Sequence, residues 1–118
     1  MTPEQLKQRT KQFALRIIKL CQSLEDGWIS RTMGQQLLRC GTSVGANYRA
    51  ACRARSPAEF RAKMGVVLEE ADESCYWMEM LTESGIVKAN SLENLRQEGN
   101  EIVAIAVSSL NTSRRAVR

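Results

Sequence analysis

Histidine is absent from the 118 residues, and no motif present excludes as much as that one gap. It removes the commonest general base, the commonest metal ligand and the E-x-x-H pairs that hold two metals inside helical bundles. Two prolines, seven glycines and six aromatic residues are too few for a turn-rich sandwich of strands. No apolar run approaches the roughly 20 residues needed to cross a bilayer, so no membrane association is expected. The opening Met1-Thr2-Pro3-Glu4-Gln5 lacks the apolar stretch of a signal peptide, which makes the cytoplasm the expected location. Cys21, Cys40, Cys52 and Cys75 contain no C-x-x-C pair and fall on or beside apolar helix faces. They are expected to be buried free thiols rather than disulfides or metal ligands. With no ligand set on view, neither a metal, a cofactor nor an enzymatic activity is expected.

What is present is ordinary folded composition, 43% hydrophobic and 25% charged, at a length suited to one domain over residues 1–118. Four helices are predicted, at about 3–25, 31–54, 57–84 and 92–112. Thr2-Pro3-Glu4-Gln5 opens the first with a capping pattern, and Leu6, Thr10, Phe13, Ile17, Leu20 and Leu24 form one stripe at spacings of four and three. Gly27 is placed to end it in a left-handed conformation. Ser30 is the predicted cap of the second helix, whose stripe is Met33, Leu37, Cys40, Val44, Tyr48 and Ala51. Gly34, Gly41 and Gly45 edge that stripe. Each costs a helix roughly 1 kcal/mol relative to alanine, and close approach of another backbone would account for them. Ser56-Pro57-Ala58-Glu59 is a capping box for the third helix, with a seam of Phe60, Met64, Val67, Ala71, Ser74, Met78 and Leu81 ended by Gly85. Ser91 caps the fourth, with Leu95, Gly99, Ile102, Ala106 and Ser109 as its seam. Helices of matched length joined by short links predict an all-α, antiparallel, up-down-up-down four-helix bundle with the left-handed twist of such seams.

Two helices carry apolar residues on more than one face. Ala62, Val66, Trp77 and Met80 lie about 150–200° from the main seam of the third helix at 100° per residue. In the fourth, Ile102 to Val107 is unbroken by any polar residue. Val66, Trp77, Met80, Ile102, Val103, Ile105 and Val107 are therefore the expected contacts of a homo-oligomer. The plainer alternative is a partly exposed tryptophan beside a deeply buried fourth helix.

Charge is distributed unevenly. From Ser30 to Lys63 seven basic residues face one acid, and from Met64 to Glu101 nine acids face two bases. Arg31, Arg39, Arg49 and Arg53 fall within about 80° of one another on the second helix, a guanidinium row suited to phosphate. Arg114, Arg115 and Arg118 add a basic tail. Glu69, Glu70, Asp72 and Glu73 have no histidine beside them and are read as charge partners for arginines rather than as catalytic groups. Two functions stay open on these grounds. One is an RNA- or DNA-binding accessory protein that uses the seven arginines. The other is a protein–protein scaffold in which the arginines pair with acids.

Gln36-Leu37-Leu38-Arg39 followed by Ser43-Val44-Gly45-Ala46-Asn47, with Phe60, Lys63, Glu70-Ala71 and Trp77, resembles the "four helix bundle protein" family. Its founding members are encoded by intervening sequences inside bacterial 23S ribosomal RNA genes. The resemblance runs from about Phe13 to Leu81. It implies a bundle that closes into a homopentamer, without catalytic activity. It also implies kinship with the accessory variability determinant of diversity-generating retroelements, a basic pentamer that binds nucleic acid and a reverse transcriptase. Arg39 and Asn47 match the family's signature positions, in what the resemblance implies is a structural role.

Overall fold

Local capping chemistry sets where the helices begin. Thr2 Oγ1 accepts the Gln5 N–H at 3.1 Å while Gln5 Oε1 accepts the Thr2 N–H at 2.9 Å, so two of the end's orphan donors are satisfied reciprocally. Ser56 Oγ accepts the Glu59 N–H at 3.1 Å, but the returning bond of Glu59 falls on the Arg55 N–H at 3.2 Å. The computed structural model describes residues 1–116 as α1 (Pro3–Ser23), α2 (Trp28–Cys52), α3 (Pro57–Glu83) and α4 (Ala89–Ala116). No strand occurs among the described residues.

Three expected helix ends are corrected. Helix α1 stops at Ser23, and Gly27 stands ahead of α2 as its N-cap rather than behind α1. Ser30 therefore lies inside the first turn of α2, where the Gly27 carbonyl already accepts the Arg31 N–H at 2.9 Å. Ser91 likewise lies inside α4, its N–H bonded to the Lys88 carbonyl at 3.0 Å. Gly85 does end α3 in the left-handed region, at φ 82°, which only glycine enters without strain.

Each helix packs on its neighbour in sequence, and α4 returns to α1 along a much looser seam. That is the up-down-up-down order of an antiparallel bundle, measuring 50 × 21 × 20 Å. The predicted stripes form its core: Phe13, Ile17, Leu37, Cys40, Val44, Met64, Met78 and Leu81 are all essentially inaccessible. In α4 the seam continues through Ile102, Ala106 and Leu110, leaving Ser109 half-buried. A strict seam drifts about 20° per heptad on a straight helix, so late positions favour a spacing of four. The buried Thr10 hydroxyl donates to the Leu6 carbonyl at 2.9 Å, and Ser74 to that of Glu70 at 2.8 Å. Cys40 and Cys75 are buried, and burial pushes both thiols up to about 11. Cys52, expected to be shielded, is exposed at the last residue of α2.

The glycines of α2 are filled by α1. A Cβ on Gly34 would lie 3.0 Å from Leu24 Cδ1, one on Gly45 would lie 3.2 Å from Thr10 Oγ1, and one on Gly41 would collide with Ile17. Gly65 on α3 has open space around it instead. The loose seam opposite is clasped by charge. Arg9 Nε and Nη2 reach the two carboxylate oxygens of Glu98 at 2.7 Å each, and Nη2 also reaches Glu101 at 3.1 Å. With side chains 26% and 18% exposed, the Arg9–Glu98 pair is better shielded than an ordinary surface bridge.

Two stability tests follow from this packing. Gly65→Ala should raise the free energy of unfolding by roughly 0.5–1 kcal/mol through helix propensity alone. Gly41→Ala should lower it despite the same propensity gain, because overpacking costs about 1–3 kcal/mol; urea unfolding of both variants measures the contrast. The second test uses pH. The bond from Arg9 holds the Glu98 carboxyl below its ordinary range. Its stabilisation is thus complete above the unfolded carboxyl pKa of about 4.3 and is lost as pH falls through the lower folded value. Glu98→Gln should be less stable than wild type at pH 7, with the gap closing towards pH 3.

Candidate nucleic-acid interface

The antiparallel order gathers four chain segments at one end of the bundle. There α1 and α3 begin while α2 and α4 finish. Residues 1–13, 44–66 and 103–116 hold ten Lys and Arg and only Glu4 and Glu59 as acids, while residues 14–43 and 67–102 hold six bases and eleven acids. The net positive charge is therefore an excess at one end set against a deficit at the other. Part of the local reason is the helix dipole: Arg49, Arg114 and Arg115 stand in last turns, Glu4 and Glu59 in first turns, each the favoured sign.

The row expected on α2 is divided by this arrangement. Arg31 lies at the acidic end, bonded to Asp26 at 3.0 Å. Arg39 is taken by Glu70 at 3.4 Å and by Glu73, so two of the α3 acids act as the charge partners they were read to be. Arg49 and Arg53 are about 27–33 Å further along than Arg31 at 1.5 Å per residue. Neither has a carboxylate within ion-pair distance among the described residues. They share a groove of about 420 Å³ with Lys7 and Lys11 of α1, lined also by Glu4, Thr10, Ala14, Gly45 and Ala46. The close approach at Gly45 is what brings the two pairs of cations together. Arg114 and Arg115 are exposed at the same end, and Arg61 Nη1 reaches Ser113 Oγ at 3.5 Å between α3 and α4. Arg118 lies outside the described residues.

Lys7, Lys11, Arg55, Arg61 and Lys63 did not emerge as site residues from sequence. They lie on three different segments, and only the superposition of helix ends makes them neighbours. That superposition was available from the predicted topology. Asn47 bonds its own helix, Nδ2 donating to the Ser43 carbonyl at 2.9 Å. Among the described residues no group of three or more Cys, Asp and Glu side chains is placed to hold a metal ion. No helix there is long and apolar enough to cross a membrane.

The expected contact residues also separate. Ile102 is buried in the bundle's own core, and Val103 and Ile105 pack against it. This leaves Val107 as the exposed member of that group on α4. On α3, Val66 and Trp77 are half-buried, while Met80 and Tyr76 are exposed. The Tyr76 and Trp77 rings meet edge to face at 5.2 Å. Trp77 Nε1 is buried without a hydrogen-bond partner, a cost of roughly 1–3 kcal/mol for the group.

The fold and its surface define an all-α four-helix bundle with a cation-rich end. The chain belongs to the 23S rRNA-intervening sequence protein family, whose model matches residues 4–108. It is also similar to a protein of unknown function of the S23 ribosomal protein family from Bacteroides thetaiotaomicron. The two are 33% identical, with a TM-score of 0.87 over 94% of this chain and 99% of that one. No curated protein matches the chain.

Proposed function

We propose that this is a non-enzymatic, oligomeric accessory protein that binds RNA or DNA through the basic end of its bundle. One observation carries the reading: Lys7, Lys11, Arg49 and Arg53 line one groove with Glu4 as its single acid, and none of the four is within ion-pair distance of a carboxylate among the described residues. Cations concentrated this way repel one another, and a polyphosphate relieves that repulsion while releasing its own counterions. The family's link to ribosomal RNA genes agrees with such a ligand. Pairing of Arg31 and Arg39 with acids favours the scaffold reading for those two residues, but it does not extend to the groove.

Self-association is the second element of the proposal. The strip of Val66, Tyr76, Trp77 and Met80 offers apolar surface, and full burial of such side chains is worth about 1.5–3 kcal/mol each. The number five comes from the family resemblance.

Replacing Lys7, Lys11, Arg49 and Arg53 together by glutamine should weaken RNA binding at about 50 mM salt by tenfold or more. Arg31→Gln with Arg39→Gln should leave binding unchanged. Wild-type protein that binds no RNA or DNA at low salt would remove the proposal and leave the scaffold. For assembly, light scattering should report about five times the 13.3 kDa chain mass, a number taken with the family's pentamer. Met80→Glu should lower it, since a buried unpaired carboxylate is heavily penalised. Met80 is the better site than Trp77, which also packs on the core. A monomeric wild type would refute the assembly.

A further inference from the structure

The six aromatic rings of the chain are distributed in a way that bears on which nucleic acid the basic end can hold. Binding of single strands rests on rings over which successive bases stack, each stacked base contributing about 1–3 kcal/mol. Phe13 and Tyr48 are buried in the core, and the Phe60 ring packs against it. The exposed rings are Trp28, 71% accessible, and Tyr76, 51% accessible. Trp28 begins α2 beside Glu25 and Asp26, and Tyr76 follows Asp72 and Glu73 on α3. Trp28 is about 32 Å along α2 from Arg49 at 1.5 Å per residue. The two exposed rings therefore stand apart from the positive charge, among carboxylates that repel a phosphate chain; Trp77 is half-buried, and Tyr48 and Phe60, which line a cavity with Lys7 at the basic end, are held by the core.

The cations themselves come from all four helices and spread over an end face 21 × 20 Å in cross-section. A single strand presents one line of phosphates and can follow only one line of cations. A duplex presents two lines separated by a groove about 6 or 12 Å wide, which a patch of that breadth spans. It also carries one charge per about 1.7 Å of axis, so more counterions are released for each contact made.

We infer that the basic end takes double-stranded nucleic acid, gripped through the phosphates of both strands without reading bases. This rests on the binding reading above and narrows it to a ligand class. Phosphate contacts fix position and carry no sequence information, so the grip is indifferent to base sequence.

The test compares duplexes of about 20 base pairs, one of B-form DNA, to which those groove widths and that salt slope belong, and one of RNA, with unstructured poly(U) of about the same length. All three are titrated into full-length protein across 50–200 mM salt at equal phosphate concentration. The duplexes should bind at least about tenfold tighter than poly(U), with log affinity for the DNA falling by about 0.9 per contact per log unit of salt. Scrambling the duplex sequence should leave its affinity unchanged. The quadruple glutamine variant at Lys7, Lys11, Arg49 and Arg53 should reduce the slope while circular dichroism stays helical. Poly(U) binding as tightly as duplex, or quenching tryptophan fluorescence on binding, would overturn the duplex assignment and leave nucleic-acid binding standing. A strong preference for one duplex sequence would also overturn it. Failure of all three ligands at 50 mM salt would overturn the assignment together with the reading on which it rests.

Discussion

The close approach of α1 to α2 governs the rest of the molecule. Three glycines on one edge of α2 let Leu24, Ile17 and Thr10 sit where Cβ atoms would stand. Their propensity cost of roughly 1 kcal/mol each is met by the contact they allow. That contact also brings Lys7 and Lys11 beside Arg49 and Arg53. With alanine at Gly45, Thr10 would have to give by a few tenths of an ångström. Packing and the candidate site thus depend on the same small residues.

Charge along the bundle obeys two different rules. Three cations are paired between helices: Arg39 with Glu70 and Glu73, Arg96 with Glu79, and Arg9 with Glu98 and Glu101. These pairs bridge neighbouring helices and add order to the bundle, most of all at the loose α1–α4 seam. At the basic end Arg9 is paired with Glu98 and Glu101, and the acids of that end's own segments are Glu4 and Glu59 in first turns. Helix dipoles reward cations at the ends of α2 and α4 by about 0.3–1 kcal/mol each. They do not explain Lys7 and Lys11 in α1, Arg61 and Lys63 in α3, or the lack of partners for Arg49 and Arg53.

The fold was legible because its signals are periodic and redundant. Each stripe is stated by five or more positions, so the displaced caps at Ser30 and Ser91 did not disturb it. The candidate site was legible only in part. Helix periodicity placed Arg31, Arg39, Arg49 and Arg53 on one face, but angle around a helix says nothing of position along it. It could not show that Glu70 and Glu73 meet Arg39 while no acid meets Arg49. The apolar run of α4 misled for a related reason. Counting polar residues around a helix does not tell burial within the bundle from burial against another copy, and Ile102, Val103 and Ile105 pack inward. Cys52 shows the same limit, since the end of a helix frays out of the stripe that its interior keeps.

The location of the exposed strip relative to the basic end has a further consequence. Tyr76, Trp77 and Met80 lie on the side of α3, towards the end opposite the cation-rich one. Subunits joined through such a flank, with bundle axes along a common rotation axis, would present all their basic ends on one face. Each end would then hold a nearby stretch of the same polyanion, and later contacts would form within the complex rather than from solution. Effective concentrations of that kind raise avidity by factors of 10² to 10⁴ without any new contact. A modest grip by one groove would suffice for firm binding by the assembly. The arrangement also favours long ligands over short ones, because a short one engages a single subunit. With Tyr76, Trp77 and Met80 away from the charged end, the two proposed associations would leave each other room.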